Sequence, residues 1–133
     1  MLEFKNLKEL QKYYNKNSNT YIFTEDVKFE FDLDIDSHII AKTILAWDIK
    51  TKDIHAHNII AFSIDAENIY YYGVCVAYEE FTCTSIEGSY KNPKHLSLND
   101  KLRIRPKLAK SVRLELTEDE LKKLKQLLKE EIS

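Results

Sequence analysis

The sequence predicts a mainly β protein: a solenoid of short strands with a short N-terminal helix and a C-terminal amphipathic helix. Three observations lead there. Isoleucine occupies positions 39, 44, 49, 54, 59, 64 and 69 in strict steps of five, and Val74 continues the series. Two residues after each of these stand Ala41, Ala46, Thr51, Ala56, Ala61, Ala66, Tyr71 and Val76. Just before each stand His38, Thr43, Asp48, Asp53, Asn58, Ser63, Asn68 and Gly73. A helix turns by about 100° per residue, so steps of five would scatter the isoleucines around its axis. In a flat sheet the two-residue alternation would break at every fifth position. A coil of very short strands accommodates the pattern, because residues i and i+2 of a strand point the same way. The residues between turn a corner, and Asp, Asn, Ser and Thr suit corners because they bond their own backbone.

The chain has 133 residues, one domain's worth. Residues 1–24 are expected to form a cap and linker, 25–105 the solenoid, and 106–133 a C-terminal strand and helix. In the cap, residues 3–15 read as an amphipathic helix with Phe4, Leu7, Leu10 and Tyr14 on one side. Val27, Phe29, Phe31, Leu33 and Ile35 alternate with Lys28, Glu30, Asp32, Asp34 and Asp36, as in one strand leading into the first coil. If four units make a turn, residues 20 apart stack at about 4.8 Å. Ile39 then lies under Ile59, Ile40 under Ile60, His38 under Asn58, Thr51 under Tyr71, and Lys50 and Lys52 under Tyr70 and Tyr72. Val74 and Val76 face the bore and Cys75 faces out. Beyond a two-residue insertion near Glu79 and Glu80, Phe81/Cys83 and Ile86/Gly88 restore the pattern, with Leu96/Leu98 and Leu102/Ile104 as further inward pairs. At the C-terminus Thr117 and Glu120 fit a capping box, and Leu121, Leu124, Leu128 and Ile132 form an apolar stripe.

The register resembles right-handed β-helices of the pentapeptide-repeat kind, although here the large residue precedes the small one. The stretches 48–59 (DIKTKDIHAHNI), 71–78 (YYGVCVAY) and 83–88 (CTSIEG) resemble small β-helical proteins of bacteriophages and mobile elements of Gram-positive bacteria, often labelled hypothetical or polymer-forming. The resemblance spans roughly residues 33–105. It implies a right-handed coil and says little about activity.

Charge is divided along the chain. Residues 1–24 carry four Lys and two Glu; residues 25–87 carry 13 acids and four Lys; residues 88–133 carry 12 Lys or Arg and seven acids. The acidic block supplies a candidate partner-binding surface: Glu30, Asp32, Asp34, Asp36, Asp65, Glu67, Glu79 and Glu80. Such a surface imitates a nucleic-acid backbone and suits a basic groove. Pentapeptide-repeat proteins that imitate duplex DNA offer a fold-level analogy. The outward Ile40, Leu45, Trp47, Ile60 and Phe62 make an apolar wall that must be covered or used. The stripe Leu121, Leu124, Leu128 and Ile132 either packs on that wall or joins two copies in a homodimer.

Chemistry finds little footing. Asp32, Asp34 and Asp36 would open a calcium loop, but Ser37 and Thr43 stand where Gly and Glu are needed. His55 and His57 lack a third ligand at metal spacing and read as exposed polar residues. Cys75 has no evident base, Cys83 faces the bore, and the only glycines are Gly73 and Gly88. A step of five excludes the hexapeptide acyltransferases. No enzyme, metal or cofactor is expected, nor a membrane span or direct nucleic-acid contact. MLEFKNLKEL lacks the form of a secretory leader, and two cysteines make no disulfide framework, so a cytoplasmic setting in the host cell is expected. The expected function is inhibition of a host nucleic-acid machine, such as a CRISPR effector, by a non-catalytic phage protein. The alternative is a structural, oligomerising module.

Overall fold

Each isoleucine of the series sits in a short strand, and the polar residue before it sits at or beside a corner. The structure, a computed structural model, describes residues 1–88 and 94–105. These form a β-solenoid of about five turns. Three walls wind around one bore. Wall one contains β3 (Thr20–Ile22), β6 (His38–Ile40), β8 (Ile54–Ala56), β10 (Asn68–Tyr71) and β13 (Ser85–Gly88), with β2 (Tyr14–Asn15) antiparallel to β3 at its lower edge. Wall two contains β1 (Leu2–Phe4), β4 (Val27–Phe29), the first halves of β7 (Thr43–Lys50) and β9 (Asn58–Asp65), then β11 (Val74–Ala77) and β14 (Lys94–Ser97). Wall three contains β5 (Leu33–Asp34), the second halves of β7 and β9, β12 (Phe81–Cys83) and β15 (Leu102–Ile104). All pairings other than β2 with β3 are parallel.

The turn is shorter than the four-unit coil. Ile39 lies under Ile54 and Ile54 under Ile69; Ile44 lies under Ile59 and Ile49 under Ile64. The repeat is therefore fifteen residues, three units, one per wall. Ladders of like side chains fill the bore: Tyr21–Ile39–Ile54–Ile69–Ile86, Val27–Ile44–Ile59–Cys75 and Leu33–Ile49–Ile64–Phe81–Leu102. Ile44, Ile54, Ile59 and Ile69 have no exposed surface. Each such side chain contributes about 1.5–3 kcal/mol by leaving water. Small residues stack separately, with Ala46, Ala61 and Ala77 above Phe29.

Corner residues bond from layer to layer. Asp53 N donates to His38 Nδ1 (3.2 Å), Asn68 Nδ2 to Asp53 Oδ1 (2.9 Å) and Ser85 Oγ to Asn68 Oδ1 (2.6 Å). His38 thus stacks with Asp53 rather than Asn58. At the next corner Asn58 Nδ2 donates to Thr43 Oγ1 (3.4 Å) and Val74 N to Asn58 Oδ1 (3.1 Å).

Two segments depart from expectation below the repeat. Residues 27–36 form two strands, β4 and β5, that pair with successive halves of β7. Val27, Phe29, Leu33 and Ile35 do face the bore. The N-terminal helix expected over residues 3–15 is present as a shorter 3₁₀ helix over Leu7–Tyr13, between β1 and β2. Its period of three aligns Leu7, Leu10 and Tyr13. Leu10 is buried, and Tyr13 packs edge-on against Phe4, 5.5 Å between centroids. Asn6 caps this helix by accepting from Glu9 N. Phe4, Phe23 and Phe29 complete an aromatic plug at the lower end of the bore.

Above Tyr71 one extra residue enters the coil. Cys75, not Val74, pairs with Ile59, and Ala77 pairs with Ala61. Cys75 and Ala77 are buried, whereas Val74 and Val76 are half-buried on the outer side, reversing the expected orientation. Gly73 makes the insertion possible. A Cβ there would collide with Asn58 Oδ1, the atom that accepts from Val74 N. Leu96 follows Val76 outward and Leu98 is 54% exposed, so neither joins the bore. The C-terminal helix expected over residues 117–133 lies outside the described residues.

Candidate binding surfaces

The acidic candidates do not form one continuous stripe. On wall three, Asp34 lies beneath Lys50, and Lys50 beneath Asp65. Lys52 Nζ lies 3.7 Å from Asp36, Lys28 Nζ 3.7 Å from Glu30, and Arg105 bonds both Asp65 (2.5 Å) and the Ala66 carbonyl (2.7 Å). The wall brings Asp34, Asp36, Asp65 and Glu67 together in one hollow, with Lys50, Lys52 and Arg105 between them. Lys50 and Lys52 thus meet carboxylates rather than Tyr70 and Tyr72. Exposed pairs of this kind contribute little stability, and they blunt the negative field of this wall.

A purer acidic column runs up the corner between walls two and three. Asp48 N donates to Asp32 Oδ1 (3.4 Å), Asp48 pairs with Ser63, and Ile64 N donates to the Glu80 carbonyl. Asp32, Asp48, Ser63 and Glu80 therefore occupy successive layers. Glu79 turns away toward Lys101 (3.1 Å), and the Asn99 and Lys101 side chains hold its carboxyl below the ordinary range. Leu121, Leu124, Leu128 and Ile132 lie outside the described residues.

Beside this column the outside of wall two is apolar. Leu45, Ile60, Val76 and Leu96 stack outward in one ladder. Trp47, Phe62 and Tyr78 form a second at the bend of β7 and β9, where the Phe62 and Tyr78 rings stack at 6.2 Å and 10°. Trp47 is 60% exposed and Tyr78 59%. A cavity of about 300 Å³ opens among Leu45, Trp47, Ile60, Phe62 and Tyr78. Ile40 belongs elsewhere, on wall one beneath His55 rather than under Ile60. The sequence reading places Leu96 inward with Leu98 and leaves Tyr78 out of the wall, because it carries the five-residue register past Gly73 without the one-residue slip. The fifteen-residue spacings Leu45 to Ile60 and Trp47 to Phe62 are the signal that finds this ladder.

Wall one carries a groove of about 660 Å³ between two outward ladders. One is Ile40–His55–Tyr70–Glu87. The other is Lys42–His57–Tyr72, linked by His57 N donating to the Lys42 carbonyl and Tyr72 N to the His57 carbonyl. His55 stacks on Tyr70 at 4.6 Å and 26°, and His57 leans on Tyr72 at 5.5 Å and 38°. Ala41 and Ala56 make the floor.

Inside the upper bore, burial pushes the Cys75 thiol far up, and the neighbouring Cys83 adds to the effect. Burial raises Cys83 as well. The Tyr71 hydroxyl and His95 Nδ1 lie 2.6 Å apart, and burial also raises the Tyr71 phenol. Protonated, buried thiols are poor nucleophiles and poor ligands. Among the described residues no group of three His, Cys, Asp or Glu is placed to hold a metal ion, and no helix is long and apolar enough to cross a membrane. Comparison with protein-family models, curated proteins and solved structures gave no match.

Proposed function

We propose that the protein is a non-catalytic binding protein of a phage or mobile element. It inhibits a host nucleic-acid machine, such as a CRISPR effector, by occupying its nucleic-acid or regulatory surface. The observation that carries this reading is the corner where the Trp47–Phe62–Tyr78 ladder borders the Asp32–Asp48–Glu80 column. Large aromatic residues anchor protein interfaces, and flanking carboxylates steer toward a basic rim. A nucleic-acid-binding protein offers such a rim around its groove. The charge interleaving on wall three restricts mimicry of a phosphate backbone to this corner. The resemblance to β-helical phage proteins supports the origin and a right-handed, pentapeptide-like coil.

Inhibition of DNA cleavage by a panel of purified CRISPR effectors tests the proposal. At least one effector is expected to be inhibited, less so as salt rises. Replacing Trp47 and Phe62 by Ala lowers affinity about tenfold or more. Replacing Asp32 and Asp48 by Asn and Glu80 by Gln weakens binding and flattens its salt dependence. A panel in which no effector is inhibited, or in which these variants inhibit as well as the parent, rejects the proposal.

A further inference from the structure

We propose that residues 117–133 dock on the outside of wall two, apolar stripe to apolar ladder, and cover Trp47 of the same chain. An apolar face of this size is covered or used. The docking does not rest on the inhibitor reading, although a partner at the aromatic corner then has to displace the segment. The wall supplies a valley along the solenoid axis. Its sides are the ladders Leu45–Ile60–Val76–Leu96 and Trp47–Phe62–Tyr78, and a cavity of about 300 Å³ opens between them. In steps of about 4.8 Å per layer, the first ladder rises about 14 Å from Leu45 to Leu96.

Residues 106–133 lie outside the described residues, and their sequence carries the match. Leu121, Leu124, Leu128 and Ile132 recur at helical spacing behind the capping box of Thr117 and Glu120. At about 1.5 Å per residue that stripe is about 16 Å long, close to the height of the valley. Charge agrees with length. At about 100° per residue, Lys122, Lys125 and Lys129 line one edge of the stripe, and Leu127 and Glu131 the other. The wall is sorted in the same way. Asp32, Asp48 and Glu80 run along one edge, whereas Thr43, Asn58, Val74 and Lys94 run along the other. With the basic edge of the stripe beside the acidic column, Glu131 falls on the side of Lys94. The tether also reaches. The described chain ends at Arg105, just after β15 on wall three, and wall three shares the acidic corner with wall two. Residues 106–116 span up to about 35 Å when extended. A tether this short gives an effective concentration on the order of millimolar, so in dilute solution the chain's own segment outcompetes that of a second copy.

Fluorescence of the full chain tests this with no partner present. Trp47 is the only tryptophan in the sequence, so its emission reports on this wall directly. The parent is expected to show blue-shifted emission and weak quenching by acrylamide. Leu124→Gln with Leu128→Gln should shift the emission to the red and raise the quenching, while the melting transition of the solenoid persists. Lys122→Glu, Lys125→Glu and Lys129→Glu together should uncover Trp47 as well, and adding Asp48→Lys and Glu80→Lys should cover it again. Docking elsewhere would leave Trp47 of the parent quenched as strongly as that of the leucine double variant, which overturns the proposal. Protection that fades as the protein is diluted assigns the wall to a second copy and overturns it too. So does a charge-reversed chain that keeps Trp47 covered, or one that stays uncovered after the second reversal.

Discussion

Cys75 shows how one position can report the state of the whole bore. It is fully buried, and its thiol is held protonated well above the ordinary value near 9. The unfolded chain loses this proton as pH passes about 9, whereas the folded chain keeps it. The unfolded state then binds fewer protons, so stability falls as pH rises. The contribution of Cys75 is fully present below pH 9 and declines above it, by about 2 kcal/mol near pH 10.5. Cys83 shifts in the same direction and adds to the decline. Urea unfolding of parent and Cys75→Ala at pH 8 and pH 10.5 checks this. The parent should lose more stability than the variant between the two values. Equal losses would mean that Cys75 ionises in the folded protein, and hence that it is accessible to water.

At the scale of the element, β11 shows what the sequence discloses and what it hides. The isoleucine series states plainly that strands are short and that their inward positions are i and i+2. It does not state how many units close a turn, because a column of isoleucines looks alike at spacings of fifteen and twenty. The outward residues break the tie: Asp65 follows Lys50, and Glu67 follows Lys52, at fifteen, placing opposite charges in adjacent layers. The insertion at β11 was hidden for a related reason. Val74 continues the five-residue step in letters while the backbone has already slipped by one. Gly73 is the physical mark of that slip, since it alone leaves room for the Asn58 side chain at the corner. Gly73→Ala should therefore cost about 1–3 kcal/mol, by displacing Asn58 and its bond to Val74 N or by moving the corner. Its φ is not in the left-handed region, so the cost is steric and not conformational. A drop in the denaturant midpoint with unchanged slope would match. No change in midpoint would show that Asn58 swings away without loss, and that the corner bond is dispensable. The candidate surfaces were less legible than the fold, because an outward residue acquires its meaning from its neighbours one layer away. Trp47 and Phe62 could be named as exposed from the pattern, but their partnership with Tyr78 required the true turn length.

At the scale of the molecule, each coil meets only the coils above and below it, so stability is a sum of neighbouring interfaces rather than the property of one centre. The interfaces are unequal. β7 and β9 are eight-residue strands that pair along nearly their whole length, spanning two walls and burying Ile44, Ile49, Ile59 and Ile64 between them. The lower end is closed by the aromatic plug around Phe4 and Phe29. Toward the upper end the ladder loses regularity: Cys75 replaces isoleucine, the half-buried Leu102 follows Phe81, and Ile104 is 52% exposed. Protection against hydrogen exchange should follow this gradient, because an amide exchanges through the least costly opening that frees it. The slowest amides should be those of Ile44–Ile49 and Ile59–Ile64, with Leu2–Phe4 faster and Leu102–Ile104 fastest. Native-state exchange in low denaturant measures it residue by residue. Uniform protection from β1 to β15 would mean that the solenoid opens as a single unit. Slowest exchange at β15 would place the most stable interface at the upper end, contrary to the packing of its ladders.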